Sequence, residues 1–114
     1  MAVARKAKDR MEKKPGDCYL IHGQAIAVGR KTGVLCHGTV WHHSIGWHGH
    51  AWIEEDDIVY DMANGRDASF HLPKDFYYIV GYVRDVKRYT QAETKAAMLK
   101  SGSFGPWESK DKED

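Results

Sequence analysis

The strongest constraint on the fold is a pair of β-type segments joined by an acidic run. Gly49-His50-Ala51-Trp52-Ile53-Glu54 is followed by the turn Glu54 to Asp57 and then by Ile58-Val59-Tyr60-Asp61. Side chains alternate between the two faces of a strand, so the length of the turn decides which residues share a face. With Glu55-Asp56 as the turn, or the longer Glu54 to Asp57, His50 lies directly opposite Asp61. With Asp56-Asp57 as the turn, Asp61 moves opposite Trp52, on the same face and diagonal to His50. Only a three-residue loop would separate the two. Any even loop therefore brings an imidazole and a carboxylate together.

The remaining elements build around this meander. Lys13-Lys14-Pro15-Gly16 breaks the chain, and Asp17 is a good N-cap for a helix from Cys18 to about Val28, with Cys18, Ile21, Ala25 and Val28 at helical spacing and Gly29 as the stop. Gly23 inside that helix costs about 1 kcal/mol relative to Ala and suits a close packing contact. Val34 to Val40 reads as a strand and Trp41 to Trp47 as a loop rich in aromatic and polar residues. Asn64-Gly65 reads as a turn tolerant of positive φ, and Val83 to Tyr89 as a further strand. Phe76 to Val83 fits either a strand or a helix begun at Pro73-Lys74-Asp75. Thr90-Gln91-Ala92-Glu93 is a capping box opening a last helix, with Ala92, Ala96 and Leu99 on one face and Gly102 closing it near Ser101. The expected architecture is α+β, an N-terminal helix packed on an antiparallel sheet of about four strands, with a C-terminal helix.

A chain of 114 residues holds one core and short tails. Residues 1–14 form a basic arm of net charge +4 and residues 108–114 an acidic tail of −2, which leaves −1 for the single α+β domain expected over 15–107. The near-neutral core and the overall charge of +1 argue against a nucleic-acid-binding protein. The first fourteen residues lack a secretory apolar region, and the longest apolar run, Phe76 to Val83, is too short to cross a bilayer. The expectation is a cytoplasmic protein without membrane partners, with Cys18 and Cys36 as thiols.

Cys18, at the start of a helix, occupies the position where unpaired backbone N–H groups and the helix dipole favour a thiolate and can hold an oxyanion. With His50 as base and Asp61 holding its tautomer, the three residues are the parts of a nucleophile, base and orienter. Trp41, Trp47 and Trp52 flank them in sequence and are candidates for the walls of a substrate cleft.

Cys18 on a helix, His50 in GHAWIE and Asp61 in VYD resemble the transglutaminase-like branch of the papain-like cysteine hydrolases. The resemblance covers roughly Asp17 to Ala63. The wider pattern of GHAW, VYD, NG, LP, YY, YT and GPW resembles small bacteriophage-encoded proteins. What the transglutaminase-like resemblance implies is a papain-like or transglutaminase-like core and acyl transfer without a cofactor. Cys18 would attack an amide or ester carbonyl of a protein or peptide, His50 would shuttle the proton and Asp61 would orient His50. The phage likeness points to a host protein as substrate and to the host cytoplasm.

Two rival readings use the same residues. His42, His48 and His50 could hold a zinc ion in an open, water-activating site, although no C-x-x-C or H-E-x-x-H signature accompanies them. Alternatively the domain is a binding module that presents Trp and Tyr to a partner protein and has no catalysis.

Overall fold

A computed structural model of the protein describes residues 17–63 and 70–107. The basic arm, the acidic tail and the Asn64-Gly65 turn lie outside the described residues. In chain order the elements are α1 (Asp17–Ala27), β1 (Val34–His42), β2 (Gly46–Glu55), β3 (Ile58–Tyr60), β4 (His71–Pro73), α2 (Lys74–Gly81), β5 (Arg84–Tyr89) and α3 (Gln91–Ser101). The strands form one antiparallel sheet in the order β4-β3-β2-β1-β5.

The fold is α+β, with five strands among the described residues where about four are expected. The additional strand is β4, three residues paired with β3. The expected Trp41–Trp47 loop is mostly sheet. Trp41 pairs with Trp47 and His42 with Gly46, leaving three residues at the hairpin tip. The next turn is Asp56-Asp57, with φ of 53° and 66°, the left-handed values that tight two-residue hairpins require. Phe76 to Val83 is mainly helix. Pro73 precedes α2 with φ −57°, and Tyr82 ends it in the left-handed region, its N–H donating to the Ile79 carbonyl.

Each face of the sheet has its own core. On one face Leu35, Ala51 and Ile53 pack under Cys18, Tyr19, Ala25 and Ile26 of α1, together with Trp107. On the other, Cys36, Val40, Trp52 and Val59 pack against Tyr77 and Tyr78 of α2. Two glycines are required by this packing. A Cβ on Gly23 would lie 2.6 Å from the Phe104 ring, and one on Gly38 would lie 2.7 Å from Trp52.

The helix faces differ from those expected. The buried side of α1 carries Cys18, Tyr19, His22, Ala25 and Ile26, whereas Val28 is exposed beyond the helix end. In α3 the Thr90 capping box and the left-handed Gly102 are both present, but Ala92, Ala96 and Leu99 face solvent and Thr94 is buried. Thr94 satisfies its hydroxyl on the Thr90 carbonyl at 2.8 Å, which lets a polar residue occupy the inner face. Among the described residues no helix is long and apolar enough to cross a membrane.

Candidate active site

The Asp56-Asp57 turn sets the β2–β3 register as Ile53 to Tyr60, which carries Asp61 to the position opposite Trp52 and diagonal to His50. The ring closes the diagonal. His50 Nε2–H donates to Asp61 Oδ2 at 3.0 Å. β3 pairs only with Ile53–Glu55, so β2 has no strand on that flank beside His50 among the described residues. Elements from both faces reach this open edge.

From one face comes Cys18, in the first turn of α1 and 2% exposed. With Asp61 it is one of the groups close enough to His50 to raise its pKa. Asp61 bonds Nε2, so a further partner of the ring has only Nδ1 to meet. Gly49 makes room nearby, since a Cβ there would run into the Tyr19 hydroxyl. From the other face, the Tyr77 hydroxyl donates to Asp61 Oδ2 at 2.7 Å, while the Ala63 N–H donates to Oδ1 at 3.1 Å.

The electrostatics follow from these contacts. Burial opposes a charge on His50, but the hydrogen bond to Asp61 and the influence of the Asp61 and Cys18 side chains prevail and raise its pKa from 6.5 to about 9. Burial likewise disfavours the Asp61 carboxylate, yet His50 and Tyr77 hold its pKa well below the usual carboxylate range. The base is therefore a cation at neutral pH, beside an acid that is ionised there.

His22 and Tyr77 are site residues that sequence reasoning did not identify. His22 is fully buried, one helical turn beyond Cys18. Its Nε2 accepts the Met62 N–H at 2.8 Å, so the proton resides on Nδ1, which donates to the Cys18 carbonyl at 2.8 Å. A neutral imidazole thus ties the turn bearing the thiol to the segment bearing Asp61. The i, i+4 spacing from Cys18 is a signal that could have found it. Tyr77 had none, because its approach depends on how α2 packs.

The tryptophans separate into three environments. Trp52 is fully buried and belongs to the core, so it does not wall a cleft. It stacks on His50 with ring centroids 6.0 Å apart, and its indole N–H donates to Glu54 Oε2 at 3.0 Å. Glu54 also accepts from Tyr78 and from Arg88 Nε, the latter at 3.0 Å. Trp41 is part of the wall of a cleft of about 500 Å³. Its other apolar walls are Val40, Ile45, Phe70, Leu72 and Val80, and polar groups also line it, His50, Asp61 and Tyr77 together with His42, Ser44 and His48. Trp47 lines a shallower neighbouring depression with Trp41 and Tyr82, and Arg84 lies 3.9 Å above its ring.

The histidines considered for zinc each make a hydrogen bond through one ring nitrogen. His42 Nδ1 bonds Ser44 Oγ at 2.7 Å, His48 Nδ1 donates to the Gly46 carbonyl at 3.0 Å, and His50 is held by Asp61. Among the described residues no group of three His, Cys, Asp or Glu side chains is arranged to hold a metal ion. Cys36 is fully buried under α2, and burial together with the Glu54 carboxylate drives its thiol pKa far upward.

The fold and site thus define an α+β domain with a Cys-His-Asp cluster at an open sheet edge. No protein-family model, curated protein or solved structure matches the chain.

Proposed function

We propose that the protein is a small cysteine hydrolase or acyltransferase of transglutaminase-like type, acting on a protein or peptide through a thioester. The observation that carries this reading is the His50 Nε2 to Asp61 Oδ2 hydrogen bond at 3.0 Å, with Cys18 close enough to act on the same imidazole. Cys18 Sγ attacks the carbonyl carbon, and the oxyanion is held by first-turn N–H groups of α1 that have no carbonyl within the helix. His50 passes its proton to the leaving nitrogen as the C–N bond breaks. Water then attacks the thioester, giving its proton to His50, and the acid departs as sulfur regains its electron pair. Amide hydrolysis or deamidation fits this sequence, and the phage likeness makes a host protein the natural substrate.

One observation favours a second reading. Cys18 is 2% exposed and does not line the cleft, as in a domain that keeps the polar cluster for stability and binds partners through its aromatic surface. Thiol labelling distinguishes the two. On the catalytic reading, iodoacetamide at pH 7 modifies Cys18 faster than Cys36, and His50→Ala removes the difference. Equal, slow labelling of both thiols in the folded protein selects the binding module.

A further inference from the structure

The cleft meets the candidate triad from one side only. His50 and Asp61 are in its lining and Cys18 is not, so the cleft reaches the imidazole without reaching the thiol. In acyl transfer through a thiol, the imidazole gives its proton to the leaving nitrogen, which must come within hydrogen-bond reach of the ring. The leaving-group half of a substrate therefore has the cleft to occupy, while the acyl half meets the first turn of α1. An amine that later takes the acyl group enters by the same route, since it must give its proton to the same imidazole.

The walls restrict what that half carries. Val40, Trp41, Ile45, Leu72 and Val80 are apolar, and no Lys, Arg or Glu is in the lining among the described residues. The one carboxylate, Asp61, already accepts from His50, Tyr77 and the Ala63 N–H. A cationic group placed there would lose its hydration without gaining a counter-ion, since the other ionisable side chains of the lining, His42, His48 and His50, are bases. A volume of about 500 Å³ accommodates an aromatic or branched aliphatic side chain with backbone attached.

Building on the acyl-transfer reading, we infer that this cleft is the leaving-group and acceptor site, and that it selects amines bearing a bulky, uncharged apolar side chain. In the acceptor step the amine nitrogen attacks the Cys18 thioester carbonyl and its proton passes to His50. The C–S bond breaks and its electron pair returns to sulfur.

The test uses the full chain, with 4-nitrophenyl acetate as a small activated acyl donor and acetyl-Cys18 followed by mass spectrometry. Phenylalaninamide, leucinamide, glycinamide and lysinamide, which share an α-amine, compete as acceptors. Phenylalaninamide and leucinamide are expected to capture the acetyl group at least tenfold better than glycinamide, with lysinamide no better than glycinamide. Val80→Lys and, separately, Ile45→Asp each bring the ratio towards one. Selectivity is read again without chemistry in Cys18→Ala, where phenylalaninamide perturbs the Trp41 indole NMR signal at lower concentration than glycinamide. Equal capture of all four amines, or equal binding in Cys18→Ala, overturns the cleft assignment and leaves thiol acylation standing. Failure to form acetyl-Cys18 overturns the acyl-transfer reading, and the acceptor role with it, whatever the binding result.

Discussion

The hydroxyl of Tyr77 donates to the same Asp61 oxygen that accepts from His50, at 2.7 Å and 3.0 Å respectively. Tyr77 belongs to a helix on the opposite face of the sheet from the one that carries Cys18, so the Asp61 carboxylate joins the two cores as well as orienting the imidazole.

Tyr77→Phe removes one donor and little volume. The expected cost is about 1–2 kcal/mol in urea unfolding, the range for leaving a buried acceptor short of a partner. The Asp61 carboxyl rises toward its ordinary pKa, because Tyr77 is one of the groups that hold it down. A ¹³C titration of Asp61 reads this directly, and an unmoved midpoint would show that the bond does not act on the carboxylate.

Two histidines impose opposite pH dependences on stability. His50 titrates at about 9 in the fold against 6.5 ordinarily, so its contribution is complete below about pH 6.5 and is lost as pH rises through 9. Burial, with His22 nearby, lowers His37 to about 4. Between pH 6.5 and 4 the unfolded chain binds that proton and the folded one does not, so stability falls with pH there. Below that window the depressed carboxyls of Asp61 and Glu54 add to the acid limb. Thermal unfolding from pH 4 to 10 should peak near pH 6.5. His50→Gln should flatten the alkaline limb and His37→Phe the acid limb.

Gly23→Ala places two effects in opposition. Helix propensity favours Ala by about 1 kcal/mol. The new Cβ meets the Phe104 ring at 2.6 Å and its Cβ at 2.9 Å, and such overpacking costs about 1–3 kcal/mol. The net expectation is a loss of stability, and Gly23→Ala combined with Phe104→Ala should lose less than the two single changes added together. A stabilised single variant would contradict the close contact.

Glu54→Ala strips the acceptor from Trp52, Tyr78 and Arg88 at once. Breaking a buried, hydrogen-bonded ion pair costs about 3–5 kcal/mol, and the half-exposed Arg88 argues for the lower end. Near-UV circular dichroism should change with it, since the Trp52 indole loses its anchor. An unaltered aromatic spectrum would mean that packing alone orients the ring.

The meander was legible in the sequence because strand alternation and turn length are local rules. The Asp56-Asp57 register was among the alternatives those rules allowed, and it places Asp61 on the His50 side, diagonal to it. Caps were legible for the same reason, as Thr90 with Glu93 and the left-handed Gly102 show. The helix faces were not. Thr94 and His22 are polar residues that satisfy their hydrogen bonds internally, so apolar spacing selected Leu99 and Val28 instead, both of which are exposed.

Unaided, the residue order determined an α+β chain with a histidine and an aspartate on one side of a β-meander, because each of those properties depends on neighbours in the chain. Tertiary structure alone decided that Cys18 comes close to the ring that Asp61 holds, that Tyr77 reaches the carboxylate from the far face, and that the cleft opens on the imidazole rather than on the thiol. Those relations join segments dozens of residues apart, and their geometry follows from how helices on two faces pack around a strand edge left open by a three-residue neighbour.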